Sequence, residues 1–248
     1  MSVLDNLETR RKEHDELLER CSSQYKDLVN DSCEFTFDGP SNNWLQYSQQ
    51  HPRIMFLLKE AHGEWWQPSV GGLDITSKKR FSQNVRLWKY AIDSFYQNPT
   101  GKMHFPNIEQ IPIGAHDVAF VEVKKLNQGK STSNHNEIEA YAKKDKEFLK
   151  RQIELIDPHV VLCAATIDFY DIIHDEQYDP YVELSSGGNC KCWQLSSRLV
   201  IDFRHPSCSI AREELYSLLC RLMIMSGNVF ETFSWSKWFD PELGQEQR

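Results

Sequence analysis

The decisive stretch for the fold is Arg53-Ile54-Met55-Phe56-Leu57-Leu58-Lys59-Glu60, an apolar run that ends in two charged residues. Its apolar side chains are continuous rather than alternating, which is typical of a strand buried on both faces of a parallel sheet. The charges at its end indicate that the chain reaches the rim of the sheet there, where a ligand site can form.

Three further apolar runs have the same character, and helical patterns lie between the runs. The runs cover residues 117–123, 159–165 and 199–203. The helical patterns cover residues 83–96, 136–156, 167–173 and 210–226. This alternation predicts an α/β protein with three α/β/α layers around a central, mostly parallel, four-stranded sheet.

An amphipathic N-terminal helix is predicted over residues 4–29. Its apolar seam is broken between Leu7 and Leu17, so we expect it to pack on the core, with a dimer or partner helix as the alternative. The length fits a single domain over residues 1–248. It divides into an N-terminal helical segment (1–45), a core (50–225) and a C-terminal tail (226–248).

The composition is acidic overall, with a formal net charge of −8 from 28 Lys and Arg against 36 Asp and Glu. This excludes a uniformly basic coat for nucleic acid but allows a local basic groove. No apolar run approaches the roughly 20 residues that a membrane-spanning helix needs, and the charged start is unlike a signal peptide. We therefore expect a cytoplasmic protein with no membrane partner.

The 7 cysteines are an odd number spread over a long chain, which argues against a disulfide scaffold. Cys190 and Cys192 form a tight pair that could hold a metal together with His205 and Cys208. Their C-x-C spacing differs from the usual C-x2-C of zinc sites. We expect ordinary thiols, no metal and no cofactor.

Polar residues gather at the predicted carboxyl ends of the strands, where open parallel sheets bind ligands. They are Lys59, Glu60 and His62; Glu122, Lys124 and Lys125; Thr166 and Asp168; and Asp202, Arg204, His205 and Ser207. Acidic, imidazole, cationic and hydroxyl groups would therefore converge in one crevice. The sequence contains no G-x-G-x-x-G, P-loop or G-x-S-x-G motif, so dinucleotide, P-loop and α/β-hydrolase functions lose their main support.

Four short motifs follow one another between about residues 50 and 225. They are an apolar strand with Glu60-Ala61-His62, an apolar strand with Lys124-Lys125, Asp157-Pro158-His159-Val160-Val161, and an apolar strand with His205-Pro206-Ser207. This ordered set resembles the uracil-DNA glycosylase superfamily, in particular bacterial glycosylase-like members whose first motif reads apolar-Lys-Glu-Ala. The resemblance implies an enzyme that flips a base out of DNA and hydrolyses its N-glycosidic bond.

The resemblance also implies catalytic roles by position. Glu60, or His62 beside it, would orient or activate the attacking water. His205 would stabilise negative charge on the departing base. Glu122 occupies the position that reads the edge of the base, where the superfamily usually has Asn.

The remaining roles concern stacking and DNA binding. Trp65, Trp66 or Phe169 would face the extruded base. Phosphate and DNA contacts are assigned to Lys124, Lys125, Asn127, Ser207 and Arg212, with Ile210 or Arg212 as a wedge in the duplex. A solvated surface pair is the alternative for the two lysines. Cys21 and Cys33 do not reproduce the arrangement of the iron–sulfur members, so no cluster is expected.

The substrate hypothesis depends on Glu122. An ionised Glu accepts hydrogen bonds only, which favours an amino-bearing or modified base over plain uracil. We expect a monomer whose partner is DNA, in host repair or in defence against modified foreign DNA such as that of phages. Two alternatives stay open: a nucleic-acid or nucleotide-binding module that has lost catalysis, and a metal-dependent hydrolase using Glu60, His62, Asp202 and His205.

Overall fold

The computed structural model confirms the α/β class. It describes residues 3–29, 33–40, 44–60, 66–67, 72–73, 79–97, 104–111, 117–127, 134–175, 181–184, 190–195 and 198–229. Within these ranges the helices are α1 (Val3–Gln24), α2 (Trp44–Ser48), α3 (Lys79–Gln97), α4 (His135–Lys144), α5 (Lys146–Ile156), α6 (Ile167–His174) and α7 (Arg212–Val229). None of them combines the length and the apolar character that a bilayer crossing requires.

The strands form one large sheet and two short ribbons. They are β1 (Glu34–Phe35), β2 (Gly39–Pro40), β3 (Ile54–Glu60), β4 (Trp66–Gln67), β5 (Gly72–Leu73), β6 (Ala119–Lys124), β7 (Leu126–Asn127), β8 (Val160–Ala164), β9 (Tyr181–Leu184), β10 (Cys190–Leu195) and β11 (Arg198–Phe203). The large sheet has seven strands in the order β2-β6-β3-β8-β11-β10-β9. Strand β1 pairs with β7, and β4 pairs with β5.

The predicted four-stranded parallel sheet is the centre of this larger sheet. Strands β6, β3, β8 and β11 pair in parallel with one another, and they correspond to the four apolar runs of the sequence. The predicted strand number was too low, because antiparallel strands extend both edges: β2 beside β6, and β10 with β9 beside β11. These edge strands are short or polar in sequence, so they lack the continuous apolar signal of the central four.

Each face of the sheet is covered by helices, as the three-layer prediction requires. We call the face that packs against α3 and α7 the front face; Phe56, Leu58 and Phe120 lie on it. The back face packs against α4, α5 and α6, and includes Leu57 and Val121. Successive strand residues point to opposite faces, which explains this division and assigns each residue near a strand end to one side.

The N-terminal helix packs on the core, as predicted. Leu18, Cys21 and Tyr25 lie in a cluster with β1 and β7 residues. Arg10 on α1 also donates to the carbonyl of Leu155 on α5, with its Nη2 atom 2.5 Å from the oxygen. Helix α1 ends at Gln24, five residues before the predicted end at residue 29.

The predicted helix over residues 136–156 is two helices. Helix α4 ends before Asp145 and α5 begins after it. Asp145 is buried, and its Oδ2 accepts a hydrogen bond of 2.5 Å from the hydroxyl of Tyr25 on α1. The break between α4 and α5 therefore coincides with a tertiary contact to α1, which sequence periodicity cannot show. Helix α7 continues to Val229, so the predicted tail boundary at residue 226 falls inside it.

Candidate functional site

The candidate site lies at the carboxyl ends of β3, β6 and β11, where Glu122 and His205 border the front face of the sheet. Glu60 ends β3, Glu122 lies near the end of β6, and His205 follows β11. Glu122 is in register with Leu58 and two residues after Phe120, and both of these residues belong to the front-face core. The ring of Phe81 on α3 lies between β6 and the loop after β11. Its centroid is 5.8 Å from that of Phe120 and 6.0 Å from that of His205.

Glu60 forms an ion pair with Lys124 across the β3–β6 register. The Lys124 Nζ atom lies 2.9 Å from Glu60 Oε2 and 2.8 Å from Glu137 Oε1 on α4. Burial by itself lowers the pKa of Lys124, but its hydrogen bonds to Glu137 and Glu60 raise the pKa above the ordinary value. The carboxylate predicted to act on water is thus held in place by a buried ammonium group.

The predicted phosphate contacts of Lys124 and Lys125 are wrong. Lys124 is 2% exposed and its ammonium group is shared between Glu60 and Glu137. Lys125 is fully buried, and its Nζ lies 2.7 and 2.6 Å from the two carboxylate oxygens of Asp38. Buried charges need such partners because desolvation is costly, so neither lysine can reach a phosphate in this structure.

Glu122 is 1% exposed and makes a different set of contacts. Its backbone N–H donates to Asp38 Oδ2 at 2.5 Å, while its side-chain Oε2 has no hydrogen-bond partner among the described residues. Burial, and next the charge of Asp38, raise the pKa of Glu122 to about 8. This shift favours the neutral carboxyl, whereas the substrate hypothesis from the sequence assumes an ionised Glu122.

His205 is fixed by its own loop. The backbone N–H of Ser207 donates to His205 Nδ1 at 3.1 Å, and the Cys208 N–H donates to the His205 carbonyl at 2.9 Å. An imidazole whose Nδ1 accepts must carry its proton on Nε2. The His-Pro-Ser turn thus makes the far side of the ring a hydrogen-bond donor, as required of a group that stabilises a departing base.

Asn84 on α3 was missed by the sequence analysis. Its Nδ2 donates to the carbonyl of Pro206 at 2.6 Å, and the residue is fully buried. Because a carbonyl can only accept, this bond fixes the amide orientation and leaves Oδ1 buried with no partner among the described residues. A signal existed: Phe81, Asn84 and Trp88 recur at intervals of three and four, so this polar residue lies within an apolar stripe.

Three of the other predicted site residues lie near this edge. Ser207 is exposed beside His205. Arg212, at the start of α7, donates to Gln83 Oε1 at 2.5 Å, so it connects α7 with α3. Asn127 is half-buried in β7, opposite Glu34.

Phe169 does not serve as a stacking platform in this structure. It is fully buried in the back-face core, and its ring lies 4.9 Å from that of His135. Its position on α6 places it across the sheet from Glu122 and His205. His62 and Trp65 lie outside the described residues, as does the side chain of Trp66.

Asp202 also lies apart from the front-face residues. It falls between Ile201 and Phe203, which both belong to the front-face core, so the pleat directs it to the back face. Burial, and next the charge of Asp168, raise its pKa to about 6. Cys190 and Cys192 are buried in β10, and the described residues contain no group of three or more potential metal ligands.

The chain was also compared with known proteins. It matches no protein-family model and no curated protein at a significant level.

Proposed function

We propose that this protein binds an extruded nucleobase of DNA at these strand ends and hydrolyses its N-glycosidic bond. The observation that carries the proposal is the placement of three different groups at one edge: the carboxylate of Glu60, the buried carboxyl of Glu122 and the oriented imidazole of His205. The motif order that resembles the uracil-DNA glycosylase superfamily supports the same function.

The chemistry of the reaction suits these groups. As the bond to the base breaks, positive charge develops on the sugar and negative charge on the base. Glu60 would stabilise the sugar and orient the attacking water, while the Nε2–H of His205 would donate to the base. The base must leave the helical stack to reach groups at the end of a sheet, so base flipping is part of the proposal.

A second function is favoured by one specific contact. The ion pair between Glu60 and Lys124, at 2.9 Å, already neutralises much of the charge that would stabilise the sugar. A binding module that recognises a base without cleaving it is consistent with this pairing. The metal-dependent hydrolase is less well supported, because Asp202 points to the back face and His205 lies at the front.

DNA attraction would depend on fewer cations than the sequence suggested. With Lys124 and Lys125 paired to carboxylates, Arg212, Asn127 and the hydroxyl of Ser207 remain as candidate phosphate contacts. A small number of phosphate contacts gives modest affinity with a shallow salt dependence, since the slope scales with the number of phosphates neutralised.

The test is release of a base from oligonucleotides of different composition, followed by mass spectrometry of the small molecule. We expect Glu60→Gln and His205→Ala each to lower the rate by about 10²- to 10⁴-fold. Glu60→Gln leaves Glu137 as a partner for Lys124, so the fold should persist. The exposed residues Glu109 and His104 supply matched controls, Glu109→Gln and His104→Ala, which should keep full activity.

The outcomes separate the alternatives. DNA binding without release of any base would support the binding module and reject the enzyme. Base release that is unaffected by both site variants would show that the reaction takes place elsewhere in the molecule.

A further inference from the structure

Asn84 on α3 is a fully buried polar residue to which the proposed function gives no role. Its Nδ2 donates to the Pro206 carbonyl at 2.6 Å, and its Oδ1 has no hydrogen-bond partner in the described part of the chain. A buried acceptor without a partner is destabilising, so packing alone favours an apolar side chain at this position. The contribution of the asparagine is therefore the bond that it donates to Pro206.

The Pro206 carbonyl and the Ser207 N–H belong to one peptide group. Asn84 binds the carbonyl, and the N–H donates to His205 Nδ1 at 3.1 Å. A peptide group is planar, and in its trans form the carbonyl and the N–H point in opposite directions, so a bond that fixes one of them also fixes the other. A hydrogen bond accepted by the carbonyl also polarises the N–H, which strengthens the bond to the imidazole.

The loop after β11 is attached to the first turns of α3 at two further points. Arg80 Nη2 donates to the Ile210 carbonyl at 2.7 Å, and Gln83 Oε1 accepts from Arg212 at 2.5 Å. These two contacts hold the end of the loop and the start of α7. The bond from Asn84 differs from them because it reaches the peptide group that binds the imidazole.

We propose that Asn84 is a positioning residue, which holds the Pro206–Ser207 peptide group so that its N–H faces His205 Nδ1 and the imidazole proton stays on Nε2. The use of that proton on a departing base rests on the proposed function, but its position can be measured without catalysis. Without the Asn84 donor the peptide group is free to rotate, and the ring can carry its proton on either nitrogen. Molecules with the proton on Nδ1 then present an acceptor to the departing base and do not stabilise its negative charge.

Heteronuclear NMR of isotopically labelled histidine side chains in the full-length protein tests the position of the proton. Protonated and unprotonated ring nitrogens differ in chemical shift, and His205→Ala identifies the signals of His205. At about pH 8, where an ordinary imidazole is neutral, we expect the proton on Nε2 in the wild type and a mixture of both tautomers in Asn84→Leu. Leucine is similar in size and removes both the donor and the partnerless Oδ1.

Two more variants complete the NMR experiment. Asn84→Ala, which leaves a space instead of a new side chain, should show the same mixture of tautomers as Asn84→Leu. Asn136→Leu, an exposed control on α4, should follow the wild type.

A double-mutant cycle on base release separates positioning from a purely structural role. Asn84→Leu alone should lower kcat about tenfold with little change in KM, and it should have no further effect in a His205→Ala background, because it acts through that imidazole. A tautomer mixture in the wild type, His205 signals unchanged in both Asn84 variants, or an equal loss of kcat in both backgrounds would overturn the inference. If the tautomer changes as expected but the wild type releases no base from any DNA, the positioning role stands and the proposed hydrolysis fails.

Discussion

The carboxyl groups of Asp38 and Glu122 belong to neighbouring segments, since the backbone N–H of Glu122 donates to Asp38, yet their surroundings differ. Asp38 Oδ1 also accepts from Gln152 at 2.7 Å, and both oxygens bond Lys125, so each oxygen of Asp38 has a partner. The Oε2 atom of Glu122, by contrast, has no hydrogen-bond partner among the described residues. Asp38, whose oxygens are all hydrogen-bonded, stabilises the fold, whereas Glu122, with one oxygen that lacks a partner, is suited to bind a ligand.

The Asp38 network also fixes the N-terminal helix. The Nε2 atom of Gln152 on α5 lies 3.2 Å from His14 Nε2 on α1. Through Gln152 and Asp38, both helices are joined to the edge of the sheet. Gly39 next to Asp38 has a φ of 138°, and a Cβ built there would lie 2.9 Å from the His14 ring. Sequence periodicity places α1 on the core, but these close approaches determine where it packs.

The largest expected effect comes from removing the Asp38 carboxylate. Asp38→Ala leaves Lys125 buried without its partner, so we expect a loss of about 3–5 kcal/mol in the free energy of unfolding. Chemical denaturation measures this change, with exposed Asp27→Ala as the control. Adding Lys125→Met to Asp38→Ala should recover much of the loss, because the unpaired charge is then gone. A loss below about 1 kcal/mol in Asp38→Ala would show that the network is not a stabilising core.

Glu122→Gln should have a pH-dependent effect on stability. Below its ordinary pKa of 4.5 the carboxyl is protonated in both folded and unfolded chains, and between 4.5 and about 8 the folded chain alone retains the proton. The wild type should therefore lose stability with rising pH relative to Glu122→Gln, by a few kcal/mol at most. Urea midpoints across this pH range measure the difference. Parallel pH curves for the two proteins would mean that Glu122 is ionised in the folded state.

The smallest expected effect on stability concerns Asn84. Asn84→Ala removes the bond to Pro206, so we expect a loss of about 1–2 kcal/mol in unfolding free energy. If Asn84 positions His205 through this loop, base release should fall in kcat with little change in KM. Asn84→Asp cannot donate to the Pro206 carbonyl when ionised and should share the defect. Exposed Asn136→Ala is the control, and a purely structural role would lower stability without the kcat effect.

Part of the site was visible in the sequence because strand ends can be located from apolar runs. Glu60, Glu122 and His205 were placed at the carboxyl ends of the strands, and the structure has them there. Phe169 was misplaced because the sequence could not assign α6 to the back face. Asn84 was missed because periodicity shows that its position on α3 is buried, but not that its amide meets the loop of Pro206.

The amino-acid sequence by itself determined the four parallel strands and the helices between them, since apolar periodicity reports local structure and burial. Tertiary structure alone decided the electrostatics. Nothing in the sequence order pairs Lys124 with Glu60 or Lys125 with Asp38. Those pairings arise where separate segments meet in a desolvated interior, and desolvation sets which acids stay charged and which become neutral.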